Sequence, residues 1–93
     1  MYEIVYAQGA RKALKRYKRG GSFPEATFKE LLTLLMSDRP LPINFKDHAL
    51  QGVLSDKREC HIGFNLLVVY KRNEILKVIT ISGVGTHQEL FGE

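Results

Sequence analysis

Residues 58–81 read RECHIGFNLLVVYKRNEILKVITI, and this stretch decides the fold. Its apolar runs, LLVVY and ILKVITI, are nearly continuous, as in central strands covered on both faces. Gly63-Phe64-Asn65 breaks the first part. Without that break a strand would run well past the usual five or six residues, so a hairpin is expected there. Arg72-Asn73-Glu74 supplies the next turn. The predicted strands are 58–62, 66–71 and 75–81, with a further short one at 52–55.

Working toward the N-terminus, residues 43–52 read as a loop carrying Lys46-Asp47-His48, and Asp38-Arg39-Pro40-Leu41-Pro42 breaks what precedes it. That preceding segment is helical: Phe28, Leu31, Leu32 and Leu35 form an amphipathic stripe. Ser22 with Glu25 three residues on makes a capping-box pattern, and Pro24 suits a first turn. In residues 8–18, Ala10, Ala13, Leu14 and Tyr17 recur at helical spacing, and Gly20-Gly21 ends that helix. YEIVY, residues 2–6, reads as a strand. At the other end, Thr86 is placed to cap a last helical turn.

The resulting order, β-α-α-β-β-β(-β), predicts an α+β fold with a two-helix hairpin packed on one face of a mostly antiparallel sheet. A length of 93 residues gives one domain, 1–93, with a thin core. No apolar run reaches the ~18 residues of a membrane span, and the N-terminus lacks a basic-then-apolar leader pattern. Cys60 is the single cysteine, so no internal disulfide can form, which suggests a reducing compartment and a cytoplasmic protein.

The net charge of +4 is unevenly placed. Residues 1–19 carry six Lys/Arg (Arg11, Lys12, Lys15, Arg16, Lys18, Arg19) against Glu3, a net of +5, and the remainder of the chain is −1. Such a patch favours polyanions: RNA, DNA or an acidic protein. A solvated helix face fits it equally well.

His48, His61 and His87 all lie outside the apolar runs. Histidine suits proton transfer near neutrality, yet the residues alone leave open whether the three converge or are separate surface side chains. Their separations, 13 and 26 residues, include no compact metal-ligand pair. Cys60 reads as a small core residue. Tyr70 reads as core with a bonded hydroxyl.

Three segments carry a resemblance. LPINFKDHALQG (41–52) is similar to a Lys-Asp-His-x-Leu-x-Gly pattern, RECHIGFNLLVVYK (58–71) to Arg-x-x-His followed by a turn and an apolar strand ending in Tyr, and GTHQELFG (85–92) to Gly-Thr/Ser-His-x-x-Leu-Phe. Each motif alone is weak, but three in register and in order are a strong signal. Together they resemble the YafQ-type branch of the RelE toxins over essentially the whole chain.

The resemblance implies a toxin of a type II toxin–antitoxin pair that enters the ribosome and cuts bound mRNA by attack of the ribose 2′-OH, without metal or cofactor. Its implied partners are a cognate antitoxin, the ribosome with its rRNA, and mRNA, with no membrane. By position it implies His87 as general acid, His48 or His61 as base, and Arg58 on the phosphate. Phe91 would stack on a base or pack the tail, and Lys46 and Asn65 are further substrate-contacting candidates. Two positions depart from the pattern. Asn65 stands where such proteins usually carry an acid, and Gly83 where they often carry a base. These departures keep a second reading in play: a RelE-fold toxin that cleaves weakly or not at all and acts by binding another target, such as gyrase, or a ribosome- or RNA-binding protein.

Overall fold

The computed structural model describes residues 1–92. The chain runs β1 (Glu3–Tyr6), α1 (Gln8–Arg19), α2 (Glu25–Met36), β2 (His48–Ala49), β3 (Arg58–Gly63), β4 (Leu66–Asn73), β5 (Val78–Gly85) and α3 (His87–Phe91), with 3-10 turns at Ile43–Phe45 and Gly52–Leu54. The strands form one sheet in the order β1-β5-β4-β3-β2. β1 pairs parallel with β5, and every other pairing is antiparallel. The predicted α+β architecture is therefore present, and the last helical turn expected behind Thr86 is α3.

The helices form for the reasons read in their spacing. Ala10, Ala13 and Leu14 of α1 and Phe28, Leu31 and Leu35 of α2 are buried. They pack against Cys60 and Ile62 of β3, Val68 and Tyr70 of β4, and Ile79, Ile81 and Val84 of β5 in one core. Leu31 is wholly buried. Truncating such a leucine to alanine costs about 2–5 kcal/mol, a large share of a small domain's stability.

Strand alternation then sends the intervening residues, Glu59, His61, Leu67 and Val69, to the opposite face of the sheet. A bulge keeps β5 in phase with this division. Val69 pairs with Gly83 and Tyr70 with Ile81, leaving Ser82 without a partner. The core face thus passes from Ile81 to Val84 while Gly83 and Gly85 face away. Among the described residues, no helix is long and apolar enough to cross a membrane.

Four local expectations are corrected. The segment predicted as a strand at 52–55 is a 3-10 turn, because Gly52 adopts φ +68°, outside the β region. A strand forms instead at His48–Ala49, inside the expected loop. The last strand starts at Val78 rather than at residue 75, because the Asn73 side chain accepts hydrogen bonds from the backbone N–H groups of Ile75 and Leu76 and curls them into a turn. Ser22 does not cap α2, which begins at Glu25 behind Pro24 with no side-chain cap. The capping box is found at α3, where Thr86 and Glu89 bond reciprocally.

Candidate functional site

His48, His61 and His87 come together on the face of the sheet away from α1 and α2, around a residue the sequence reading passed over. Glu59 is 3% exposed. Its Oε1 lies 3.4 Å from Nε2 of His48 and 3.6 Å from Nε2 of His87. His61, two residues along β3, shares its face, and the rings of His61 and His87 are 6.4 Å apart between centroids. A buried carboxylate is costly unless positive or hydrogen-bonding groups attend it. Here two imidazoles attend it, one from β2 and one from α3.

Each histidine is placed by its own local structure. His48 is the cross-strand partner of Glu59. Its Nδ1 is 2.8 Å from the Lys46 carbonyl oxygen. That oxygen can only accept, so Nδ1 carries a hydrogen, and Nε2, which faces Glu59, donates to the carboxylate when the ring holds its second proton. His87 is the first residue of α3, whose start is fixed by the Thr86–Glu89 capping box. The helix lies close over β5: a Cβ on Gly83 would stand 2.8 Å from Leu90 Cδ2, so that side chain would have to turn aside. His61 has its pKa pushed below the ordinary 6.5, chiefly by desolvation, which outweighs the opposing pull of Glu59. Lys46, His87 and His48 add to the lowering.

The other sequence candidates divide. Phe91 belongs to the cluster, its ring 5.8 Å from that of His87. It also lines a small cleft of about 130 Å³ with Leu54, Lys57, Val69 and Leu90. Lys46 is exposed in a left-handed turn, φ +52°, close enough for its charge to act on His61. Asn65 is exposed in the β3–β4 turn. Arg58 is not on the histidine face. It pairs with Tyr70 across the sheet, and its guanidinium grips Asp47 on the helix-covered side, with Nη2 2.9 Å and Nε 3.1 Å from Oδ2. That ion pair and hydrogen bond hold the guanidinium's pKa up.

Cys60 is buried, and desolvation pushes its thiol up to about 12, which leaves no thiolate near neutrality. The signal that could have found Glu59 was present: alternation along Arg-Glu-Cys-His-Ile puts Glu59 and His61 on one face and Arg58 and Cys60 on the other.

Residues 2–92 match the family described as "Bacterial toxin of type II toxin-antitoxin system, YafQ". The chain belongs to this family. Its relatives include the mRNA interferase toxin YafQ of Escherichia coli (strain K12), 34% identical over 92 residues that span 98% of this chain and 92% of that protein. Among solved structures, a chain of the E. coli DinJ–YafQ complex superposes with a TM-score of 0.86 at 30% identity, covering 99% of this chain and 100% of that one. A metal-bound toxin from Helicobacter pylori superposes at 0.89 with 32% identity, covering 98% and 100%. Among the described residues of this chain, no three His, Cys, Asp or Glu side chains are arranged to hold a metal ion as they stand.

Proposed function

We propose that this chain is an endoribonuclease that cuts ribosome-bound mRNA with the cluster around Glu59. Its YafQ relatives are mRNA interferases by name. The observation that carries the reading is the meeting of His48 and His87 on one buried carboxylate, with His61 beside them.

Cleavage by the neighbouring 2′-OH needs a base for that hydroxyl, an acid for the departing 5′-oxygen and positive charge at the phosphate. His61, whose pKa is lowered chiefly by desolvation, suits the base. His87, facing Glu59 through Nε2, suits the acid. Lys46 supplies charge for the phosphate, a task for which Arg58, bound to Asp47, is less suited, and His48 holds Glu59 from the β2 side. Phe91 offers a face for a base. The exposed basic side of α1 suits rRNA. An antitoxin partner fits the family and the DinJ–YafQ complex of its relative. Action on ribosomes would place the protein in the cytoplasm.

Glu59 also weakens the rival, non-cleaving reading. That reading rests on Asn65 and Gly83, and the cluster holds a carboxylate without an acid at residue 65. The test is to induce wild-type chain and His87→Ala and map cellular mRNA ends by primer extension. Codon-spaced cuts with the wild type alone support cleavage. Intact mRNA with arrested replication would support the rival.

A further inference from the structure

We infer that Asp47, Arg58 and Tyr70 form a positioning clamp on the helix-covered side of the sheet that sets His48 on the opposite, reactive side. The clamp's role in turnover rests on the proposed cleavage, but its effect on His48 does not.

The need for a clamp is visible in the backbone. β2 is two residues long and lies at the edge of the sheet. Two ladder positions, His48 with Glu59 and Ala49 with Arg58, hold it. It follows Lys46, whose φ of +52° is a conformation that lysine adopts only when its surroundings impose it. Unsupported, such an edge would fray, and His48, itself exposed, would move with it.

Asp47 supplies the support. Its carboxylate accepts Arg58 Nη2 at 2.9 Å and Arg58 Nε at 3.1 Å on Oδ2, and the Tyr70 hydroxyl at 2.6 Å on Oδ1. The Arg58 contact is charge-assisted. Tyr70 is 1% exposed and rooted in the core, and burial raises its pKa, so its hydroxyl stays a donor. Because neighbouring residues of an extended chain point to opposite sides, fixing Asp47 toward the helices leaves His48 facing Glu59.

β3 repeats the pattern, with Arg58 below and Glu59 above. The two strands are therefore stitched twice, Arg58 to Asp47 on one side and Glu59 to His48 on the other. Among the described residues, no hydrogen bond or ion pair joins the side chain of Asp47 or Tyr70 to a histidine, so both act through the backbone that carries His48.

The experiment uses the full chain with Tyr70→Phe and Asp47→Asn, and Arg58→Lys as a further variant that keeps charge but loses the fork. Two quantities are read: the NMR signals of the His48 ring, including its Nδ1–H bonded to the Lys46 carbonyl, and single-turnover cleavage of mRNA on programmed ribosomes. In each folded variant the His48 ring signals shift and its Nδ1–H exchanges faster, while the His61 and His87 signals move little. The cleavage rate falls roughly ten- to a hundredfold, as when a supporting residue is lost from a reactive group, with half-saturation little changed.

His48 signals that coincide with wild type in folded Asp47→Asn and Tyr70→Phe would overturn the clamp. Shifted His48 signals with an unchanged rate would overturn its part in turnover. A wild-type chain that cuts no RNA would remove the proposed function, and the His48 signals would still decide the clamp.

Discussion

Oε1 of Glu59 lies 3.6 Å from Nε2 of His87, and this contact joins β3 to α3 across the open face of the sheet. The carboxylate is almost wholly buried while the imidazole is half exposed. The buried carboxylate therefore sets where the half-exposed imidazole stands. Glu59→Gln keeps the shape and removes the charge. A purified Glu59→Gln protein should melt within a few degrees of wild type, since a buried amide costs less than a buried carboxylate. Circular dichroism melts check this. A collapse of the fold would show that the charge is structural.

His61 provides a pH test. Its pKa is lowered from 6.5, first by desolvation. The folded state thus holds this proton less tightly than the unfolded chain does. As pH falls through 6.5 toward the folded value, the unfolded chain takes up more protons and His61's share of stability is lost; above 6.5 that share is fully present. NMR titration should place the His61 midpoint below 6.5, so that the ring is still mostly neutral at pH 6.5. A midpoint above 6.5 would remove it as the base best prepared to act near neutrality.

Gly83 is where α3 rests. A Cβ there would meet the end of the Leu90 side chain at 2.8 Å. Alanine should be tolerated because Leu90 can rotate away. Gly83→Val, branched at that same carbon, should cost about 1–3 kcal/mol through overpacking. It should also slow cleavage, because α3 carries His87 and Phe91. Denaturant melts and cleavage assays of the two variants check the ordering.

Glu89 holds the same helix from its other side. Its carboxylate accepts the Thr86 N–H at 2.9 Å and the Tyr17 hydroxyl of α1, and its backbone N–H donates to Thr86 Oγ1. The Arg16 contact, at 3.4 Å between exposed side chains, adds little. A five-residue helix does not persist unaided. Glu89→Ala should therefore cost about 0.5–2 kcal/mol, the worth of a helix cap, and lower the cleavage rate. Glu89→Gln, which keeps the hydrogen-bonding shape, should lose less. Amide hydrogen exchange across residues 86–91 reads the loosening directly.

Much of this was legible beforehand, and the remainder was hidden for physical reasons. Helical spacing in α1 and α2 and the apolar runs of β4 and β5 are local signals that burial reinforced. The histidines' convergence depends on strand register and on how α3 folds back, which only tertiary packing sets. Glu59 is one charged residue among many in the sequence, because alternation reveals a face but not its cover. The resemblance implies Arg58 on the phosphate, whereas the side of β3 it occupies gives it Asp47 as partner. The strand expected at residues 52–55 failed on one glycine dihedral, and the strand at His48–Ala49 exists because β3 offered it an edge.

The most direct test is single-turnover cleavage of a short mRNA on programmed ribosomes by wild type, Glu59→Gln, His87→Ala and the double variant. Groups that act as a unit are not additive. Each single variant should lose about a hundredfold or more in rate, in keeping with the loss of acid–base catalysis, and the double variant should be little slower than the worse single. A folded Glu59→Gln protein that cuts at the wild-type rate, or losses that multiply in the double variant, would contradict a site organised on Glu59.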